Sequence, residues 1–167
     1  MGLAYRLRQL VHNLSAGPLS VEAEAEVSAV LSPSERALFG RFSPADQWHG
    51  VRVLRTLRAA GYNDPDLAAA ALLHDIGKTR HALTPLDRSL IVIAQAIMPG
   101  RAATWGDGSL ASWQRPFVVR AHHPAWGATM VEQAGSCARV VDLVRRHAEP
   151  PREDPLLQAL QWADDQN

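Results

Sequence analysis

The chain carries seven histidines in 167 residues, and their spacing is uneven. His74 is followed directly by Asp75 and His122 directly by His123, while several others fall at the edges of expected helices. The His74-Asp75 pair closes Leu67–Leu73, an almost wholly apolar run of the kind that forms a central helix surrounded by others. A buried ionised aspartate is costly unless it is paired or holds a metal, so this dipeptide invites a metal reading. The ordinary alternative is a helix end at which Asp75 reaches solvent and His74 bonds to a carbonyl. From the pair alone, both readings stand open.

The elements that must position these groups read as helices throughout. Apolar residues recur at helical spacing between proline and glycine breaks, and no segment reads as a strand. Leu3–Leu14 and Ser20–Leu31 are expected helices, separated by the breaker Gly17-Pro18. Ser32-Pro33 and Ser43-Pro44 are N-cap and first-turn pairs, and the second opens the helix that carries His49. That helix is expected to stop near Gly61 in a left-handed cap, with Asp64-Pro65 opening the next. Thr84-Pro85 starts a helix that runs to about Met98, where Pro99-Gly100 breaks it. Arg101–Ser112, with Gly106 and Gly108, reads as a surface loop. Further helices are expected over Trp113–Ala121, Ala125–Ala134, Ala138–His147 and Pro155–Ala163.

Composition narrows the class. A chain that is 47% hydrophobic and 20% charged can bury one core, and its length suits one compact domain. Seventeen basic residues balance seventeen acidic ones, so no overall field attracts extended nucleic acid or an anionic membrane. The single cysteine, Cys137, cannot form an internal disulfide, which fits a reducing compartment. The most apolar run, Leu90–Met98, is far shorter than the roughly 20 residues that span a bilayer. A soluble, cytoplasmic protein is the expectation.

Several short motifs occur in one order along the chain. Leu72-Leu73-His74-Asp75-Ile76-Gly77-Lys78 resembles the signature of the HD-domain metal-dependent phosphohydrolases. Upstream, Asp46-Gln47-Trp48-His49 followed by Val53 is similar to that family's first-ligand helix. Downstream, His123-Pro124-Ala125-Trp126-Gly127-Ala128 resembles its His-Pro-x-x-Gly-Ala segment. Val144–Glu149 resembles its Ile-x-x-His-His-Glu element, with Ala148 in place of the second histidine, and Trp162-Ala163-Asp164 resembles its closing Ala-Asp. Ordered motifs are far more specific than any one alone.

The resemblance implies an all-α, compact single-domain fold, with residues 44–167 as the HD domain; residues 1–43 lie outside it and read as a helical extension packed on the core or serving a homodimer. It implies His49, His74, Asp75, His123, His147 and Asp164 as metal ligands. Imidazole and carboxylate suit divalent Mn, Fe, Co or Zn without selecting one. Six ligands exceed what a single tetrahedral ion with an open position needs, so two ions sharing Asp75 are expected. One would be held by His49, His74, Asp75 and Asp164, the other by Asp75, His123 and His147. Water acidified by such ions supplies hydroxide for attack at phosphorus. His74, Asp75 and Lys78 are then the residues at the reacting group.

Lys78 is the only lysine beside sixteen arginines. It reads either as a point charge for a substrate phosphate or as a cation that offsets a helix dipole. The implied substrate is a phosphorylated small molecule or nucleotide. Nucleotides and dinucleotides rank above cyclic dinucleotides, because no Gly-Tyr-Pro follows Glu149. The competing function is a non-catalytic HD-like module that binds a nucleotide or a protein and keeps a structural metal. Arg52, Arg55 and Arg58 recur on one side of the His49 helix and read as a solvated face, with approach to an anion as the alternative. His12 and His81 read as local or surface residues, and His122 as a helix-end neighbour of His123, with a donor behind the ligands or a substrate contact as the alternative. Most of the five tryptophans read as core, with Trp105 and Trp113 the first places to look for a stacked base.

Overall fold

Five helices open on a small polar residue followed by proline, in which the side chain caps the free N–H groups and the ring pre-sets the first turn. The cap residues are Ser32, Ser43, Asp64, Thr84 and Asp154; Ser32 with Glu35 and Thr84 with Asp87 form reciprocal capping boxes. The computed structural model describes residues 17–81, 83–150 and 153–167. Along these run α1 (Val21–Val30), α2 (Pro33–Phe39), α3 (Pro44–Ala59), α4 (Pro65–Leu73), a 3-10 helix (Ile76–Arg80), α5 (Pro85–Ile97), α6 (Pro99–Thr104), a second 3-10 helix (Trp105–Asp107), α7 (Arg115–Gln133), α8 (Ala138–Arg146) and α9 (Pro155–Asp165). No strand occurs among the described residues, and no helix there is long and apolar enough to cross a membrane.

Helix α4 lies at the centre. Its residues from Ala69 to Leu73 are all buried, and they share one core with Val51, Leu54 and Leu57 of α3, Leu143 and Val144 of α8, and Leu157 and Leu160 of α9. Helices α1 and α2 join the same core through Ala23, Val27 and Phe39. A smaller second core, formed by Ile91, Ala94, Ala102 and Phe117, ties α5 and α6 to α7. Each fully buried Leu or Phe contributes about 1.5–3 kcal/mol, so the α4 end is fixed from several sides.

Gly61 caps α3 with a φ of 88°, as the sequence predicts. Three expectations need correction. Residues 99–107 are helical rather than a loop, because Pro99 both ends α5 and occupies the first turn of α6. Helix α7 runs unbroken through Pro124, where two helices were expected. None of the five tryptophans is fully buried, and Trp113 and Trp162 are exposed; Trp105 and Trp113 pack edge-on with Phe117. The expected helix Leu3–Leu14 and His12 lie outside the described residues.

Candidate metal centre

Five helices bring the six candidate side chains to one place. Gly50 lets α3 approach the end of α4 closely: a Cβ there would stand 3.1 Å from the Leu72 carbonyl oxygen. His49 therefore lies beside His74, with ring centroids 5.3 Å apart. His74 and Asp75 follow the last turn of α4, and Gly77 seats the 3-10 helix against α7, which carries His123. His147 ends α8, and Asp164 lies in the last turn of α9.

The side chains form two groups, His49 with His74 and Asp164, and Asp75 with His123 and His147, each with its ligand atoms within 4.8 Å of one another. In the first, His49 Nε2 is 2.9 Å and His74 Nε2 3.6 Å from Asp164 Oδ1. In the second, Asp75 Oδ1 is 3.3 Å from His123 Nε2 and 3.6 Å from His147 Nε2, which are 3.2 Å from each other. Asp75 Oδ2 turns the other way, 3.6 Å from His74 Nε2 and in contact with Lys78 Nζ. Asp75 thus stands between the groups, one oxygen toward each.

The three buried histidines are oriented by one device. Each ring places Nδ1 on the carbonyl three residues back: His74 on Ala71 at 3.0 Å, His123 on Arg120 at 2.8 Å and His147 on Val144 at 2.7 Å. A carbonyl only accepts, so Nδ1 carries the hydrogen and Nε2 is the ring atom turned inward. The acceptors are available for a physical reason. Ala71 and Val144 lie in last helical turns, whose carbonyls have no intrahelical donor. Arg120 lies mid-helix, but the residue four ahead is Pro124, which has no N–H to give it. The His74 carbonyl bond, weighed above as the ordinary alternative to metal binding, is here what aims the ring.

The electrostatics fit a cation. Burial opposes charge on Asp75, yet Lys78 and His74 outweigh it and hold its pKa well below the ordinary value. Asp164, likewise opposed by burial, is held down by His74 and His49. Burial would also keep His74 neutral, but the Asp75 and Asp164 carboxylates raise it to about 9. At His123 burial prevails over the Asp75 bond and lowers the pKa. His74 Nε2 is a buried atom without a hydrogen-bond partner, and the Nε2 atoms of His123 and His147 face each other at 3.2 Å. Ligands about 2.1 Å from one ion stand roughly 3.0–3.4 Å apart at octahedral or tetrahedral angles, close to the spacings found. Each of the two groups could hold a metal ion.

The HD domain family model matches residues 49–165, from the first of these ligands to one residue past the last. The chain belongs to the HD domain family. No curated protein and no solved structure matches it. In this HD domain all six residues inferred from the sequence converge, and Lys78 joins them through Asp75. Arg55 and Arg58 point instead to Glu26 of α1, while Arg52 lines the cleft above the ligands. His122 and His81 pack on Trp126, outside both groups; His122 lies in mid-helix, not at a helix end. Sequence reasoning missed Gln161, whose Nε2 donates to the His147 carbonyl at 3.1 Å and to Glu149 at 2.8 Å. That clamp ties the His147 corner to the helix bearing Asp164, and only its position one turn before Asp164 hinted at it.

Proposed function

We propose that this HD domain is a metal-dependent phosphohydrolase that cleaves a phosphate ester or anhydride bond, in a nucleotide or dinucleotide, with two divalent ions shared across Asp75. The observation that carries this reading is the pair of three-ligand groups that meet at Asp75, a member of one with its second oxygen turned toward the other, at a cleft of about 1150 Å³. His49, His74, Asp75 and Asp164 would hold one ion, and Asp75, His123 and His147 the other. Bound there, such ions supply an acidified water as nucleophile and neutralise phosphoryl charge.

The chain's own residues do the rest. The carbonyl-bonded histidines are pre-oriented, so little reorganisation is needed on binding. Lys78 lies against Asp75 Oδ2 and lines the cleft, where its ammonium meets a phosphoryl oxygen as a point charge. Cys137 is exposed and lies outside both ligand groups, so it has no part in the chemistry.

Turnover of a nucleotide panel after chelation and reloading with Mn, Fe, Co or Zn tests the proposal. Metal-dependent hydrolysis that is lost in Asp75→Asn supports it. Tight nucleotide binding with bound metal and no turnover would instead make the protein a binding module.

A further inference from the structure

The cleft reaches well beyond the ligand groups, and one helix lines its length. Phe117, Val119, Arg120, Ala121 and His123 all line it from α7. The Phe117 end is apolar: Ile91, Ala102 and Phe117 are buried there, with Leu83 beside them. The His123 end is the candidate metal centre. Arg120 stands between, about 4.5 Å along the helix axis from each end.

Arg120 differs from the arginines whose charge is answered within the fold. Arg55 meets Glu26 at 2.7 Å, Arg115 meets Asp87 at 3.3 Å and Arg139 meets Asp154 at 2.6 Å. The Arg120 guanidinium makes no hydrogen bond or ion pair with any described residue, although the Arg120 carbonyl accepts from His123. It is exposed as a residue, yet the cleft walls desolvate its guanidinium enough to lower its pKa. A cation partly stripped of water and without a counter-charge is unfavourable until an anion arrives. The guanidinium fork suits a phosphoryl group bidentately.

We propose that Arg120 is a substrate-binding residue that grips a second phosphoryl group, linked to the one that is cleaved, while the remainder of the substrate lies toward the Phe117 end. The inference rests on the phosphohydrolase reading and deepens it: the preferred substrate carries two or more linked phosphoryl groups, and a simple phosphomonoester is a poor one.

The test uses methylenebisphosphonate, which holds two linked phosphonates that water does not separate, and methylphosphonate, which holds one. Calorimetric titration of wild type, Arg120→Met and Arg120→Lys compares them, alongside kcat/KM for a nucleoside diphosphate and its monophosphate. Arg120→Met is expected to weaken bisphosphonate binding by about 10- to 100-fold and methylphosphonate binding by less than about threefold. Arg120→Lys is expected to lie between, because charge is kept and the fork is lost. Equal weakening of both ligands, or a bisphosphonate affinity within twofold of wild type, would overturn the proposal. Because the Arg120 guanidinium makes no hydrogen bond or ion pair and the substitutions keep the backbone carbonyl, all three proteins are expected to melt alike. A wild type that binds the bisphosphonate through Arg120 but hydrolyses nothing would sink the enzyme reading and leave this one standing.

Discussion

Gly77→Ala is expected to cost far more than an added methyl group usually does. A Cβ on Gly77 would overlap the His123 carbonyl oxygen and stand 2.7 Å from the Gly127 nitrogen and 2.8 Å from the His123 carbonyl carbon. All three are backbone atoms and cannot swing aside. Carbon atoms in contact need about 3.5 Å, so the 3-10 helix and α7 must part by roughly 0.7 Å or more. Overpacking costs about 1–3 kcal/mol when side chains can give way, and here the upper end applies. For a domain of this size about 3 kcal/mol lowers Tm by roughly 6–12 °C. The parting also carries Asp75 away from His123, since the two sit on the separating segments. Bound metal is therefore expected to fall with Tm. Gly135→Ala is the control: its φ is 86° but nothing lies within 4 Å, so only the backbone term of about 1 kcal/mol applies. Thermal melts by circular dichroism, with metal content measured on the same samples, decide the matter. A Gly77→Ala protein that melts no lower than Gly135→Ala would refute the packing argument.

Asp154→Ala removes the α9 cap and the acceptor of Arg139, costing about 1 kcal/mol for the cap plus a smaller, screened contribution from the ion pair. Arg139 holds the Asp154 pKa below the ordinary 3.8, so the charge-dependent part is fully present above that value and fades as pH falls below it. Urea unfolding at pH 7 and pH 3 is expected to show the gap to wild type shrinking at the lower pH. Pro124→Ala gives the Arg120 carbonyl a helical donor that competes with His123 Nδ1, so metal affinity is expected to fall about 10-fold or more while helicity stays unchanged. Glu35→Ala breaks a capping box and the 2.6 Å bond from Ser136 Oγ, and denaturant unfolding is expected to show a loss of about 1–3 kcal/mol.

The helix starts were legible because their chemistry is local: a cap oxygen and a proline act within one turn. The ligands were legible because each sits in a short motif whose order along the chain is specific. What failed was context. Pro124 reads as a break, yet α7 continues because packing against the 3-10 helix and α8 holds it, and the missing N–H is used by His123 instead. Pro99-Gly100 reads as the start of a loop, although proline is as much at home in a first turn as after a last one. Arg52, Arg55 and Arg58 look alike in sequence, but only contact with Glu26 separates the two that face α1 from the one that faces the cleft. Gln161 and Arg120 carry no local signal, because the partner of one and the isolation of the other exist only once the helices have met.

On the function proposed above, six side chains from five helices hold divalent ions on either side of Asp75. Elemental analysis of the purified chain, reloaded with Mn, Fe, Co or Zn after chelation, tests it directly when wild type is set beside Asp75→Ala and His123→Ala. Two ions per wild-type chain, about one in His123→Ala and fewer still in Asp75→Ala are predicted. A wild type that retains no metal under any loading, or an Asp75→Ala protein that retains the full complement, would contradict the account.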